Sequence, residues 1–376
     1  MATKRAKKNV DEIGTYSTLL LYAIVLSFAV SFLVFHAVCA FVVTGFMTRG
    51  FADEWSSVLS ACLTDWGIIR WTVGIPVLLY VILYFGKYRM TKKGGISNPY
   101  AWLAEKYKGT FVHEIKSFNG DDYLDALYGE YLKMCKSAGI KVPRLFYVEI
   151  SGGDGLNAFT TDLKDGTRII VLYLELMKSL SFSDVKAVIA HEIGHIISKD
   201  IAYRTYIQCG IDVMAFCWEI GQLLINETAQ RLMNPSSDGD SNPMDWLLGV
   251  GALVLGNIMV LLGGFSNYCG MGINWLRRRL AELIADSRGA LLLENEQDFA
   301  DMIIMLHCKS EMYLSKSFKL PKEESCKIAG LTAPGAIYGS IAVHPDNVER
   351  VRRIRPSFDG DFRRAYKEIM AKRLNG

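Results

Sequence analysis

The chain has 376 residues, of which 51% are hydrophobic and 22% charged, with a formal net charge of +3. A charge balance this close to neutral gives no basis for nucleic-acid binding, and the apolar share is high for a soluble protein. The length is enough for one catalytic domain plus membrane segments.

The first predicted element is an apolar run from Tyr16 to Met47, which contains His36 but no Lys, Arg, Asp or Glu. It exceeds the ~20 residues a span needs and is too long for a cleaved signal peptide, so a retained anchor is expected. A second span is predicted over Gly67–Gly86, with Arg70 near its start. Asp122–Ala138 reads as an amphipathic helix. Val142–Ile150 and Thr167–Tyr173 read as strands, rich in β-branched and aromatic residues. The turn-prone loop Ser151–Asn157 lies between them. Ser181–Asp200 reads as a helix, with Ser181 and Asp184 as its capping pair.

Ile207–Ile225 is a third predicted span. It carries Asp212 and Glu219, seven residues apart and so on one helical face; charges inside a span face other helices or water. After an exposed loop, Asn234–Pro243, the fourth span is Trp246–Phe265. Its Ala252 and Gly256 permit close helix contact. Further helices are expected around Ala281–Asp286 and over Asp298–Leu314, Pro345–Ile354 and Asp361–Lys372. With four spans, the basic clusters Lys4–Lys8, Lys87–Lys93 and Arg277–Arg279 all fall on one side. That side is the cytoplasm, and it holds both termini and the two large polar regions.

The eight cysteines are Cys39, Cys62, Cys135, Cys209, Cys217, Cys269, Cys308 and Cys326, with no C-x-x-C spacing. They are expected to be reduced and mostly buried, forming neither a disulfide framework nor a cysteine metal site.

His191-Glu192-Ile193-Gly194-His195 is an H-E-x-x-H motif on a predicted helix. Histidines at i and i+4 project from one face and can share one ion, and Glu192 beside them is placed to take a proton from water there. A catalytic zinc keeps three protein ligands and one open position. No third histidine follows at the spacing H-E-x-x-H-x-x-G-x-x-H would require, so the third ligand comes from elsewhere. Glu282 and Asp286 share a helical face, which would let one ligate and the other support a ligating histidine.

Taken together, Asn157-Ala158-Phe159, AVIAHEIGH at 187–195, Asp200, Glu282 with Ala285-Asp286, and His344-Pro345 with Arg350 resemble the HtpX-like membrane metallopeptidases, relatives of the CAAX prenyl proteases. The resemblance covers most of the chain in order and spacing. It implies that His191, His195 and Glu282 bind one zinc ion and that Glu192 is the base. Asp286 and Arg350 would support the site. The N-A-F strand would line the cleft, where a substrate peptide adds as an edge strand, and Asn157 and His344 would polarise the scissile carbonyl.

The expected architecture is mainly α with a small β-sheet: a zincin-like metallopeptidase domain interrupted by a transmembrane helical hairpin, with four transmembrane helices in all. An N-terminal membrane hairpin occupies 1–93, the catalytic parts 94–202 and 268–376, and the second hairpin 203–267. The expected function is zinc-dependent endopeptidase activity on membrane or unfolded proteins, at the cytoplasmic side of a cell inner membrane, in membrane-protein quality control. Two alternatives are an inactive membrane sensor or adaptor that retains the fold and a CAAX-type processing protease. A metal-transport module is disfavoured because the ligands lie outside the spans.

Overall fold

The computed structural model describes residues 75–107, 111–117, 120–149, 156–233, 243–318 and 346–375. The expected first span, the start of the second, most of the loops at 151–157 and 234–243, and His344 with Pro345 lie outside the described residues. The elements are α1 (Ile75–Lys93), α2 (Pro99–Lys106), β1 (Val112–Ile115), α3 (Asp122–Ser137), β2 (Arg144–Val148), β3 (Ala158–Asp162), β4 (Arg168–Tyr173), α4 (Leu174–Ser179) and α5 (Phe182–Ile197). They continue with α6 (Asp200–Met233), α7 (Pro243–Leu292), α8 (Glu296–Phe318), α9 (Asn347–Ile354) and α10 (Phe362–Asn375). The described chain is thus mainly helical with one small mixed sheet.

The chain divides into two compact units; among the described residues one covers 93–203 and 275–375, the other 75–92 and 204–274. The first holds the sheet, in the order β1-β2-β4-β3. β1 pairs antiparallel with β2, β2 parallel with β4, and β3 antiparallel with β4. The apolar run of β4 is central and covered on both faces: Ile169, Ile170, Val171 and Leu172 are all fully buried. β3 lies at an edge and stays half-buried along its length.

α5 packs its apolar face, with Val185, Ile189 and Ile193, into the same core. Its start is built by the expected capping box: Ser181 Oγ accepts from the Asp184 N–H, and the Asp184 carboxylate accepts from the Ser181 N–H. Asp184 is fully buried, and Arg373 of α10 clamps it with two hydrogen bonds of 2.7 and 2.8 Å.

α5 ends three residues before the expected boundary at Asp200. Ser198 and Lys199 close its last turn onto the Gly194 and Ile196 carbonyls, and Lys199 adopts a left-handed φ of 54°. A lysine there costs on the order of 1 kcal/mol. The chain re-enters helix at Asp200, which leaves that side chain beside the end of α5. No glycine or proline marks the break, so periodicity runs through it. β1, α2 and α4 were not expected from the sequence.

In the second unit, α6 and α7 approach backbone to backbone. A Cβ on Gly221 would lie 2.8 Å from the Gly256 carbonyl oxygen, and one on Gly263 would lie 2.8 Å from the Trp218 nitrogen. Asp212 of α6 pairs with Lys87 of α1 at 3.1 Å, whereas Glu219 is exposed. Among the described residues, one helix, over Gly249–Leu292, is long and apolar enough to cross a membrane. Little of its apolar stretch is buried, and Leu261, Phe265 and Met271 are exposed, unlike the side chains of a soluble core helix. α7 does not stop at Phe265 but continues unbroken past Asp286. Of the described cysteines, Cys135, Cys209 and Cys308 are buried thiols and Cys269 is a half-buried one, none in a disulfide.

Candidate metal centre

One turn of α5 separates His191 from His195, and their Nε2 atoms are 3.1 Å apart. Glu282 of α7 faces both: one carboxylate oxygen lies 3.5 Å from His191 Nε2, the other 3.5 Å from His195 Nε2. Ligands at ~2.0–2.1 Å in tetrahedral array sit roughly 3.3–3.4 Å from one another. The observed spacing meets that requirement with three donors, the number an open-position site uses. All three side chains are mostly buried, with donor atoms within 4.8 Å of one another.

Two small residues bring Glu282 this close. A Cβ on Gly194 would lie 2.5 Å from the Ala285 carbonyl oxygen, and one on Gly289 would lie 2.6 Å from Phe299 and 3.0 Å from the Ala190 backbone. Ala285 and Gly289 share the α7 face that carries Glu282 and Asp286. Glycine in the motif thus sets the separation of the ligand-bearing helices.

Each histidine is backed by an aspartate, and each aspartate by an arginine. Asp286 Oδ1 is 2.9 Å from His191 Nδ1, and Arg350 donates to both Asp286 oxygens at 2.7 Å. Asp200 Oδ2 is 3.5 Å from His195 Nδ1, and Arg277 Nη1 donates to Asp200 Oδ1 at 2.7 Å. Such partners orient a metal-binding imidazole and fix its tautomer.

The electrostatics follow from this arrangement. Burial opposes a charge on His191, but Asp286 and Glu282 outweigh it and push the imidazole up to about 10. His195 is also raised, with burial opposed chiefly by Glu282 and Asp200. Burial raises Asp286, yet the Arg350 guanidinium beside it holds the carboxyl at about 2. For Asp200 as well, His195 and Arg277 outweigh burial and lower the carboxyl. The pocket thus stabilises positive charge between its carboxylates, a condition a divalent cation satisfies.

Glu192 is buried, and its Oε2 accepts a 2.6 Å hydrogen bond from Thr160 Oγ1 on β3. Asn157 turns its side-chain oxygen onto the Ala158 N–H at 2.9 Å, which leaves its amide NH2 as the donor group. His344 lies outside the described residues. The structure therefore brings together His191, His195, Glu282, Asp286 and Arg350, and sets Glu192 against the edge strand.

Sequence reasoning did not single out Thr160 or Arg277. No motif marks Thr160. Arg277 was counted with the basic cluster Arg277–Arg279 beside the fourth span, but it is buried against Asp200. Burial of an arginine is invisible in a run of three.

A family model described as Peptidase family M48 matches residues 125–357, from α3 to just beyond α9. Protease HtpX of Cellvibrio japonicus is 27% identical over 262 residues, covering 69% of this chain and 79% of that protein. Protease HtpX of Serratia proteamaculans is 30% identical over 168 residues, and that of Buchnera aphidicola 26% over 193. The chain spans 53% and 61% of these two relatives. No solved structure matches. With more than half of its length matched and three candidate metal donors brought together, the chain belongs to peptidase family M48 and is an HtpX-like metallopeptidase.

Proposed function

We propose that this protein is a membrane-embedded zinc endopeptidase that cleaves membrane or unfolded proteins. The observation that carries the reading is the convergence of His191 Nε2, His195 Nε2 and Glu282 at ligand spacing on two packed helices. Two nitrogens and a carboxylate suit zinc, which would supply there the Lewis acidity that makes water a nucleophile near neutral pH. Glu192 accepts a proton from the attacking water and passes it to the leaving amine. Asp286 and Asp200 hold the two imidazoles in the tautomer that presents Nε2 to the ion. The Asn157 amide and His344 donate to the scissile carbonyl as charge develops on its oxygen, and the peptide lies extended along β3.

The reading includes four spans, a catalytic unit on the cytoplasmic side of an inner membrane, and a role in membrane-protein quality control. The exposed basic side chains Arg89, Lys92 and Lys93 after the second span support the orientation. Labelling introduced cysteines at Ser237 and Lys93 should give opposite sides of the membrane; the same side for both would refute the four-span topology.

Glu192→Gln tests the chemistry. The amide keeps size and hydrogen bonding but cannot take a proton. Cleavage of casein by the purified full-length protein in detergent should fall about 10²–10⁴-fold, with zinc content unchanged. Wild-type turnover in a zinc-loaded variant would exclude Glu192 as the base.

A further inference from the structure

The main-chain hydrogen bonds of β3 alternate in direction. The Asn157 carbonyl accepts from the Tyr173 N–H, and the Leu163 N–H donates to the Thr167 carbonyl, both across to the β4 side. In this antiparallel register residues 157, 159, 161 and 163 therefore bond toward β4. Ala158, Thr160 and Asp162 turn their N–H and C=O groups to the open edge. Both ends of that edge are already engaged. The Asn157 side chain accepts from the Ala158 N–H, and the Lys164 N–H donates to the Ile96 carbonyl at 2.8 Å. Between them Thr160 and Asp162 turn N–H and C=O outward, and of the two it is Thr160 whose side chain reaches Glu192.

The side chains alternate as well. Phe159 points to the sheet face lined by Trp102, Tyr107 and Tyr173. Thr160 points to the opposite face, toward α5, where its hydroxyl donates to Glu192 Oε2 at 2.6 Å. That is the length of a strong hydrogen bond to a carboxylate. It fixes one oxygen of Glu192 and leaves the other to address water.

We propose that Thr160 is a positioning residue that ties the general base to the substrate-pairing edge: its hydroxyl orients Glu192 while its main-chain N–H and C=O pair with the extended peptide. Docking the peptide on Thr160 then sets the register of the scissile bond relative to the carboxylate that this residue holds. The inference rests on the peptidase reading above and assigns to β3 a part in the chemical step in addition to binding.

The test uses full-length protein in detergent with fluorescein-labelled casein as probe, and measures kcat, KM and zinc content. Thr160→Val keeps the β-branched shape and the strand backbone but removes the hydroxyl. It should lower kcat about tenfold, leave KM within about twofold and retain zinc. Thr160→Ala should behave in the same way, and Thr160→Ser, which keeps the hydroxyl, should return kcat to within about threefold of wild type. In a Glu192→Gln background Thr160→Val should cause no further loss, because the group it positions is gone. Wild-type kcat in both Thr160→Val and Thr160→Ala overturns the inference. So does a Thr160→Ser variant as slow as Thr160→Val, or a loss carried by KM alone. A Glu192→Gln protein that cleaves casein at the wild-type rate overturns the base assignment first, and the inference with it.

Discussion

The two histidine supports look alike in outline and differ in tightness. On the His191 side, Asp286 sits 2.9 Å from the imidazole and is gripped through both oxygens by Arg350, with all three side chains largely buried. On the His195 side, Asp200 stands 3.5 Å away and receives a single bond from Arg277, whose Nε and Nη2 atoms are buried with no hydrogen-bond partner. A bidentate arginine–carboxylate pair fixes orientation as well as charge. A single bond from the arginine constrains the carboxylate less. The Asp286 arm is therefore the rigid reference of the site, and the Asp200 arm is the one able to adjust.

That difference predicts a ranking in zinc affinity, readable by chelator competition on the purified protein. Glu282→Ala removes a ligand shared by both sides and should cost more than about 100-fold, beyond the loss of an orienting partner. Asp286→Asn should cost about 10–100-fold, the usual effect of losing such a partner. It also leaves Arg350 buried without a full countercharge, so thermal stability should fall too. Asp200→Asn should cost about tenfold or less. Equal losses at Asp286 and Asp200 would show that the geometric asymmetry has no energetic counterpart, and the reverse order would make the Asp200 arm the reference.

The smallest expected effects are the pH dependences. Because Asp286 is depressed to about 2, its arm contributes stability that is complete above the ordinary aspartate pKa of ~3.9 and is lost as pH falls toward about 2. Acid unfolding of Asp286→Asn should lack that component, while Asp200→Asn should keep it. In the metal-free protein His191, raised to about 10, holds a proton at neutral pH. Zinc must displace this proton, so affinity should rise about tenfold per pH unit around pH 7, with about one proton released per ion bound. Calorimetry in buffers of different ionisation enthalpy measures that number directly. Zinc binding with no net proton release would mean that His191 carries no proton in the metal-free protein.

Local chemistry made much of the site legible. The i, i+4 spacing placed His191 and His195 on one face, and the same spacing placed Glu282 with Asp286. Ser181 and Asp184 announced the start of α5, and the apolar run of β4 announced a central strand. The long apolar segments stood out by composition. The break at Lys199 was not legible, because a left-handed lysine follows no local preference. Neither was the continuation of α7 beyond Phe265, since a change from apolar to charged residues does not by itself end a helix. Arg277 looked like a headgroup-facing cation and is instead a buried support.

The sequence alone determined which side chains could serve a metal ion, because ligand type and helical spacing are properties of a few adjacent residues. Tertiary structure decided which of them meet. Glu282 lies 87 positions beyond His195, and it reaches the histidines because Gly194 and Gly289 leave no side chain between α5 and α7. Thr160 reaches Glu192 because the register of β3 against β4 turns it toward α5. Both contacts depend on the packing of distant segments at ångström tolerance, and no local pattern of polarity or propensity encodes a distance of that kind.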